Sequence, residues 1–425
     1  MKILTLNCWS NSIKYHLFSW DRKQLLAMGT VERVGLGSSF IRQSVSGKTP
    51  YCRETEYIDH HGAVSLIIAC LTDRQQGVLT ERGNIAAVAH RVAHGGEQFR
   101  HSVAIDAHVL TAIRQLQHLA PLHCASNIAG IEAALAQLPG IPHVAIFDTA
   151  FHVSMPEHAF LYPLPYEWYQ QYGVRRYGFH GPSHLYLSRR GAVLLNKPVD
   201  SCNLITIHLD RGVSLCAIQN GRSIDTSMGM TPLEGALMET RSGDIDPGIN
   251  AYMMQKLNLS VREMEQILNH KSGLLGLTGL RPGRQRFLEA VLDGEPHCRL
   301  ALEIESYRIR KYIGSYLAVI GALDGIIFTA GSSRLEWLVR EKVLEGLEGF
   351  GIRFDRERNR AACPGKEELD ISADGSRLRL LVIPTNEELV FVEDTARIVR
   401  GASGSDDCHD YSFARSGFIP FRPEI

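Results

Sequence analysis

The stretch Asn203–Asp225, NLITIHLDRGVSLCAIQNGRSID, holds the plan of the whole chain in miniature. An apolar run, Leu204–Ile207, leads to the turn Asp210-Arg211-Gly212, and a second run, Val213–Ile218, follows. Asn220-Gly221 then supplies the residue pair that accepts the positive backbone angles of a tight hairpin, before a short third strand. The same plan opens the chain: strand Lys2–Leu6, polar turn Asn7–Ser12, strand Ile13–Ser19 and a third strand near Leu25–Glu32. A β-meander met twice predicts a duplicated core.

Working outward, Ile85–Ala89, His143–Phe147, Gly325–Phe328 and Leu378–Ile383 are short apolar runs of the kind buried at sheet centres. Between them Leu302, Ile309, Ile313, Tyr316 and Ile320 fall on one helical face. The fold class expected is α/β, with two domains. The boundaries read 1–150, completed by 385–400, then 151–384, with 401–425 as a Gly-, Ser-, Asp- and Pro-rich extension outside the core. A chain of 425 residues, 44% hydrophobic, is long enough for two cores.

Composition also excludes. With 45 basic against 46 acidic residues there is no overall field to attract nucleic acid or an anionic membrane, so any anion must be held by local groups. Nine scattered cysteines with no C-x-x-C pair read as reduced and cytoplasmic. The opening MKILTLN lacks an apolar export signal, and the most apolar window, Tyr312–Gly331, is broken by Ser315, Asp324 and glycines. No membrane partner is expected.

Four segments concentrate chemistry. Asn7-Cys8-Trp9-Ser10-Asn11-Ser12-Ile13-Lys14 is a polar turn whose hydroxyls, amides and lysine suit a phosphate, or an ordinary hairpin turn. Ala89-His90-Arg91-Val92-Ala93-His94-Gly95-Gly96 ends a strand in an arginine, which serves as a surface cap or an anion clamp. Arg175–His184 packs cations, glycines and histidines into one loop. Asp225–Pro232 and Thr240–Pro247 form a long Gly-, Thr- and Asp-rich stretch around the lone Arg241, and loops of that length in compact domains are usually functional.

These segments, with APLH at Ala120–His123, FDTAFH at Phe147–His152, SGLLG at Ser272–Gly276 and IPTNEEL at Ile383–Leu389, resemble the acetate kinase family from Met1 to about Arg400. The resemblance implies two actin-like (ribonuclease H-like) domains with an interdomain active-site cleft, and transfer of a phosphoryl group between ATP or a similar donor and a short-chain carboxylate. It implies Arg91, Asp148, His180 and Arg241 as catalytic, with His123 and His208 as further active-site histidines. Asn7 and Glu387 are implied at a Mg2+ or Mn2+ site, and Ala93, Leu122 and Pro232 along the acyl pocket. It also implies a homodimer.

The chemistry fits. A carboxylate is already ionised near neutral pH, so the obstacle is repulsion between anions, which positive charge and positioning relieve. Arg91 is then expected to hold the carboxylate, Arg241 and His180 to stabilise the phosphoryl group, and Asp148 to orient an arginine or a metal-bound water. Where relatives commonly carry valine this chain has Ala93, which predicts a wider pocket and a preference for propionate or a slightly longer acid over acetate.

Ser10, Ser12, Lys14, His208, Asp210, Arg211 and Gly212 are expected to bind the donor phosphates. The donor side departs from the family: Trp9 replaces a glycine, Asp210-Arg211 replace Gly-Asn, and Gly283-Arg284-Gln285 replace a D-F/M-R pattern. Gly331-Ser332-Ser333-Arg334-Leu335 stand where the family has G-I-G-E-N. Two explanations follow besides ATP used through altered contacts: a donor without adenosine, such as pyrophosphate, or a ligand-sensing homologue without catalysis.

Overall fold

The computed structural model describes residues 1–280, 283–363, 367–401 and 410–419; the side chain of Leu122 also lies outside the described residues. The chain forms two units, Met1–Ala150 with Asn386–Ile425, and Phe151–Thr385.

In the first unit, β1 (Lys2–Trp9), β2 (Ser12–Ser19), β3 (Gln24–Glu32), β4 (Ser38–Val45) and β5 (Tyr51–Tyr57) form an antiparallel run. β6 (Ala87–Val92) and β8 (His143–Phe147) extend it in parallel from β1, with β7 (Val103–Ala104) at the edge, giving the order β5-β4-β3-β2-β1-β6-β8-β7. Period-2 alternation decides the two faces of β1. Leu4 and Leu6 turn to a core shared with the helices His60–Thr72 and Pro121–Gln137. Ile3 turns the other way, against Phe391, Val392 and Ala396 of the helix Glu387–Val399. Truncating the fully buried Phe391 to alanine should cost about 3–5 kcal/mol.

The second unit repeats the plan. β9 (Leu204–Leu209), β10 (Val213–Gln219), β11 (Arg222–Thr226), β12 (Gly325–Phe328), β13 (Leu369–Asp370) and β14 (Arg379–Val382) lie in the order β11-β10-β9-β12-β14-β13. β9, β12 and β14 are parallel, matching β1, β6 and β8. The expected duplication is therefore present. Asn220 and Gly221 have φ of 52° and 73°, the two positive angles the hairpin turn requires. The stripe Leu302, Ile309, Ile313, Tyr316 and Ile320 lies buried along the helix Pro296–Ile320.

Several boundaries differ from expectation. The first turn is shorter than Asn7–Ser12, because β1 and β2 stay paired to Trp9 and Ser12; Asn7 therefore lies in a strand opposite Lys14. The strand expected at Ile85–Ala89 runs Ala87–Val92, since Arg82–Asn84 turns helically and pairing with β1 begins only at Ala87. Arg91 thus sits inside a strand. Leu378–Ile383 shortens to Arg379–Val382. The 401–425 extension is not wholly outside the core: Phe413 is fully buried, and Tyr411 Oη donates to Asp394 Oδ1 at 2.9 Å. Ser412 N donates to Glu393 Oε2 at 2.8 Å, so this segment caps the face of the helix that carries those carboxylates.

Candidate active site

The first half-site stands at the carboxyl ends of β6 and β8, where open α/β sheets present ligand-binding groups. Arg91 donates from Nε and Nη2 to Asp148 Oδ1 and Oδ2 at 2.8 and 2.7 Å, a bidentate pair that fixes the plane of the guanidinium. Its Nη1 faces Glu387 Oε2 at a looser 3.8 Å. Burial opposes the Arg91 charge, but Asp148 and Glu387 hold it protonated more firmly than water would.

Glu387 opens its helix beside Glu388, both in the first turn where the helix dipole favours negative charge, and Asn386 caps that turn by accepting from Leu389 N at 3.1 Å. The two acids differ sharply. Burial pushes Glu387 up to about 7, and Arg91 compensates only partly. Burial acts on Glu388 too, but Lys14 at 2.6 Å, with His16, outweighs it and brings the carboxyl down to about 2. Lys14 is thereby committed to Glu388.

Asn127, which sequence reading missed, ties this region together. Its Oδ1 accepts from Ala93 N and its Nδ2 donates to Cys8 O, both at 2.8 Å, so one buried carboxamide sets the spacing between the ends of β1 and β6. The N-x-x-G spacing to Gly130 was the available signal: a Cβ on Gly130 would come within 2.3 Å of Cys8 Sγ. Ala93 is half-buried, Ser12 and His123 are partly exposed, and Ser10 lies open in the turn.

As a cation site, Asn7 and Glu387 offer hard oxygen donors, and Glu387 is a carboxyl whose burial is incompletely neutralised. That suits a magnesium-like ion, which takes one or two carboxylates and completes its shell with phosphate and water. Among the described residues no group of three or more His, Cys, Asp or Glu is placed to hold a metal ion.

The second half-site is built on the β9–β10 turn. Gly212 has no side chain because none fits: a Cβ there would lie 2.8 Å from Arg241 Nη2, 3.0 Å from His180 Cε1 and 3.2 Å from His180 Nε2. Arg241 and His180 thus converge on the space above Gly212. Arg241 is braced by donation from Nη1 to Pro232 O at 2.7 Å. His180 has φ of 59°, a left-handed angle uncommon for a residue with a side chain, at the start of the helix Gly181–Leu194.

On the sheet face toward that helix, period 2 aligns Thr206 and His208 of β9 with Ser214 of β10, whose register partner is His208. His180 Nδ1 meets Ser214 Oγ at 2.8 Å; His208 Nδ1 meets Ser183 Oγ at 2.8 Å. The two rings lie 4.3 Å apart. Arg176, from the cation-rich loop, has a bracing role. It donates to the carbonyls of Thr226 and Ser227 at 2.8 and 3.2 Å and to Glu234 at 2.6 Å, holding the loop that carries Pro232.

The donor-side expectations divide. Asp210 is partly buried; Arg211 is 77% exposed, 3.3 Å from Glu239. Ser332 and Arg334 are exposed, while Gly331 and Leu335 are half-buried. Arg284, expected at the donor, has its guanidinium buried between Glu305 at 2.6 Å and Glu336 at 2.8 Å. Gln285 Oε1 accepts from Ser333 Oγ at 2.7 Å and Arg334 N at 3.2 Å. The two replaced segments therefore hold each other.

The chain is similar to known proteins over nearly its whole length. Residues 2–393 match the model of the acetokinase family. The acetate kinase of Geobacter sulfurreducens is 57% identical over 419 residues, covering 99% of this chain and 100% of that protein. The acetate kinase of Geobacter metallireducens is 58% identical over the same span. Among solved structures, Porphyromonas gingivalis acetate kinase is 39% identical with a TM-score of 0.87, covering 94% of this chain and 99% of that one. A propionate kinase from Francisella tularensis is 35% identical with a TM-score of 0.86, covering 93% and 99%.

Proposed function

Because the chain belongs to the acetokinase family, and so is a phosphotransferase acting on the carboxylate of a short-chain acid, we propose that it uses ATP with a divalent cation and divides the work between the two half-sites. Its fold is that of the family, two actin-like domains. The observation that carries the reading is the convergence of Arg241 and His180 on the space left by Gly212, which offers two donors to one phosphoryl group.

In this reading Arg91, oriented by Asp148, binds the acid's carboxylate and offsets its charge as it approaches the phosphoryl group. Arg241 and His180 take the charge that spreads over the equatorial oxygens in flight. Asn7 and Glu387 would hold magnesium, which would supply positive charge against the charge that develops on the transferred group. Ala93 lines the acyl pocket, and the absence of valine's extra methyls there supports propionate or a slightly longer acid.

A second reading concerns the donor alone. Arg284 is sealed between two glutamates, and Gln285 is bonded to Ser333 and Arg334, which favours a donor without adenosine, such as pyrophosphate. Trapping acyl phosphate with hydroxylamine, in parallel with ATP, GTP, pyrophosphate and polyphosphate, separates the two. Product with pyrophosphate alone would displace ATP, and no product with any donor would sink both.

Among the described residues no helix is long and apolar enough to cross a membrane. A cytoplasmic location is supported by the scattered cysteines. A homodimer is supported by the exposed Leu164, Tyr166, Trp168 and Tyr172 around the short helix Tyr166–Tyr172. Sedimentation at a monomer's mass would count against it.

A further inference from the structure

We propose that Thr206 and Ser214 are positioning residues which, through the buried His184, hold His180 as a neutral imidazole with its proton on Nε2, the nitrogen turned toward Gly212. The proposal rests on the phosphotransfer reading of this half-site and adds to it the protonation state of one donor.

Proton counting carries the argument. Thr206 is fully buried, and among the described residues its hydroxyl meets one hydrogen-bonding partner, His184 Nδ1, at 2.7 Å. A buried hydroxyl hydrogen without an acceptor is costly, so Thr206 donates and His184 Nδ1 accepts. The His184 proton then resides on Nε2, which donates to Ser214 Oγ at 2.8 Å. Ser214, fully buried, has one hydrogen to give, and His180 Nδ1 stands at 2.8 Å to take it. The donors run one way, from Thr206 to His180.

An imidazolium at His180 would reverse every link. Its Nδ1–H would donate to Ser214, Ser214 to His184 Nε2, and His184 Nδ1–H to Thr206, whose own hydrogen would face no acceptor. The neighbours oppose a second charge as well. Arg241 Nη2 approaches the same space above Gly212, and the His208 ring lies 4.3 Å away. Burial, with His152 and His208, also keeps His184 well below the ordinary histidine range, so the relay has no proton to spare. The Nε2–H meets a phosphoryl oxygen as a neutral donor, and Arg241 supplies the positive charge on this side.

The test uses the full chain labelled with 15N-histidine, the His180 signals being identified by their loss in His180→Gln. In the wild type Nε2 should be protonated and Nδ1 unprotonated between about pH 6 and 8. Thr206→Val keeps the shape and removes the hydroxyl, so Nδ1 protonation should set in roughly one pH unit higher. Thr206→Ser should restore the wild-type titration. If Thr206→Val fails to fold, Ser214→Ala breaks the same relay and should shift the titration in the same direction. A wild-type His180 protonated on Nδ1 at about pH 7, or a titration unmoved by either variant, overturns the proposal. Since the signals are read on the resting protein, failure of the hydroxylamine assay would leave this result intact.

Discussion

Two arginines in this molecule are each flanked by a pair of acids, and they behave as opposites. Arg284 is enclosed: the exposures of Arg284, Glu305 and Glu336 are 2%, 0% and 1%, with both acids within 2.8 Å. Arg91 holds Asp148 as tightly, but its second acid, Glu387, stands at 3.8 Å and is left with a carboxyl raised to about 7. The first cluster is closed on all sides; in the second, burial of Glu387 outweighs the neighbouring positive charge. Composition does not separate the two clusters, whereas the length of the second contact and the position at strand carboxyl ends do.

The sharpest way to break this comparison is to remove each arginine. Arg91→Ala should lower kcat/KM for acyl phosphate formation by about a thousandfold or more, and because it leaves the buried Asp148 without its bidentate partner it should lower the urea midpoint as well, by less than the loss expected at Arg284. Arg284→Ala should act chiefly on stability. It strands two buried glutamates and should cost about 3–5 kcal/mol in urea unfolding. If Arg284→Ala instead left stability intact and raised KM for the donor, the enclosed cluster would be a binding site after all.

A third effect is set by acid. Burial lowers His16, His90, His143, His152 and His184, and brings His152 down to about 4. These groups are neutral when folded but take up protons near 6.5 when unfolded, so stability is full above that pH and falls as pH drops from 6.5 toward 4. His152, fully buried, contributes about 3 kcal/mol of that loss on its own, measurable as a falling urea midpoint. A midpoint unchanged from pH 7 to about 4.5 would mean these rings take up protons as readily in the fold as in the unfolded chain.

The smallest expected effect concerns the acyl pocket. Ala93→Val should reduce the ratio of kcat/KM for propionate over acetate by roughly tenfold, the worth of about one methylene, in a chain-length series. An unchanged ratio would remove Ala93 from the pocket.

The difference between the two arginines also marks where sequence ceased to be informative. The duplicated hairpin was legible, because strand alternation and Asn220-Gly221 are local signals. Arg91, Asp148, His180 and Arg241 were expected from the resemblance of their motifs to the family rather than from any local signal of structure. β4 and β5 were not read, since SSFIRQSV and YCRETEY lie toward an edge where polar residues hide the pattern. The burial of Arg284 was hidden for a different reason: its partners lie 21 and 52 residues downstream, and nothing local tells that an arginine will be buried. Ser214 and Thr206 were passed over as strand residues, because their meaning depends on a helix met earlier in the chain.

The carboxamide of Asn127 grips the backbone of Ala93 rather than its side chain. With Ala93 in the proposed pocket, whatever residue occupies that position projects from a fixed origin, and its bulk is not absorbed by backbone drift. Alanine and valine codons differ by one base, so a lineage can retune the preferred acid by a point mutation without rebuilding the enzyme around it.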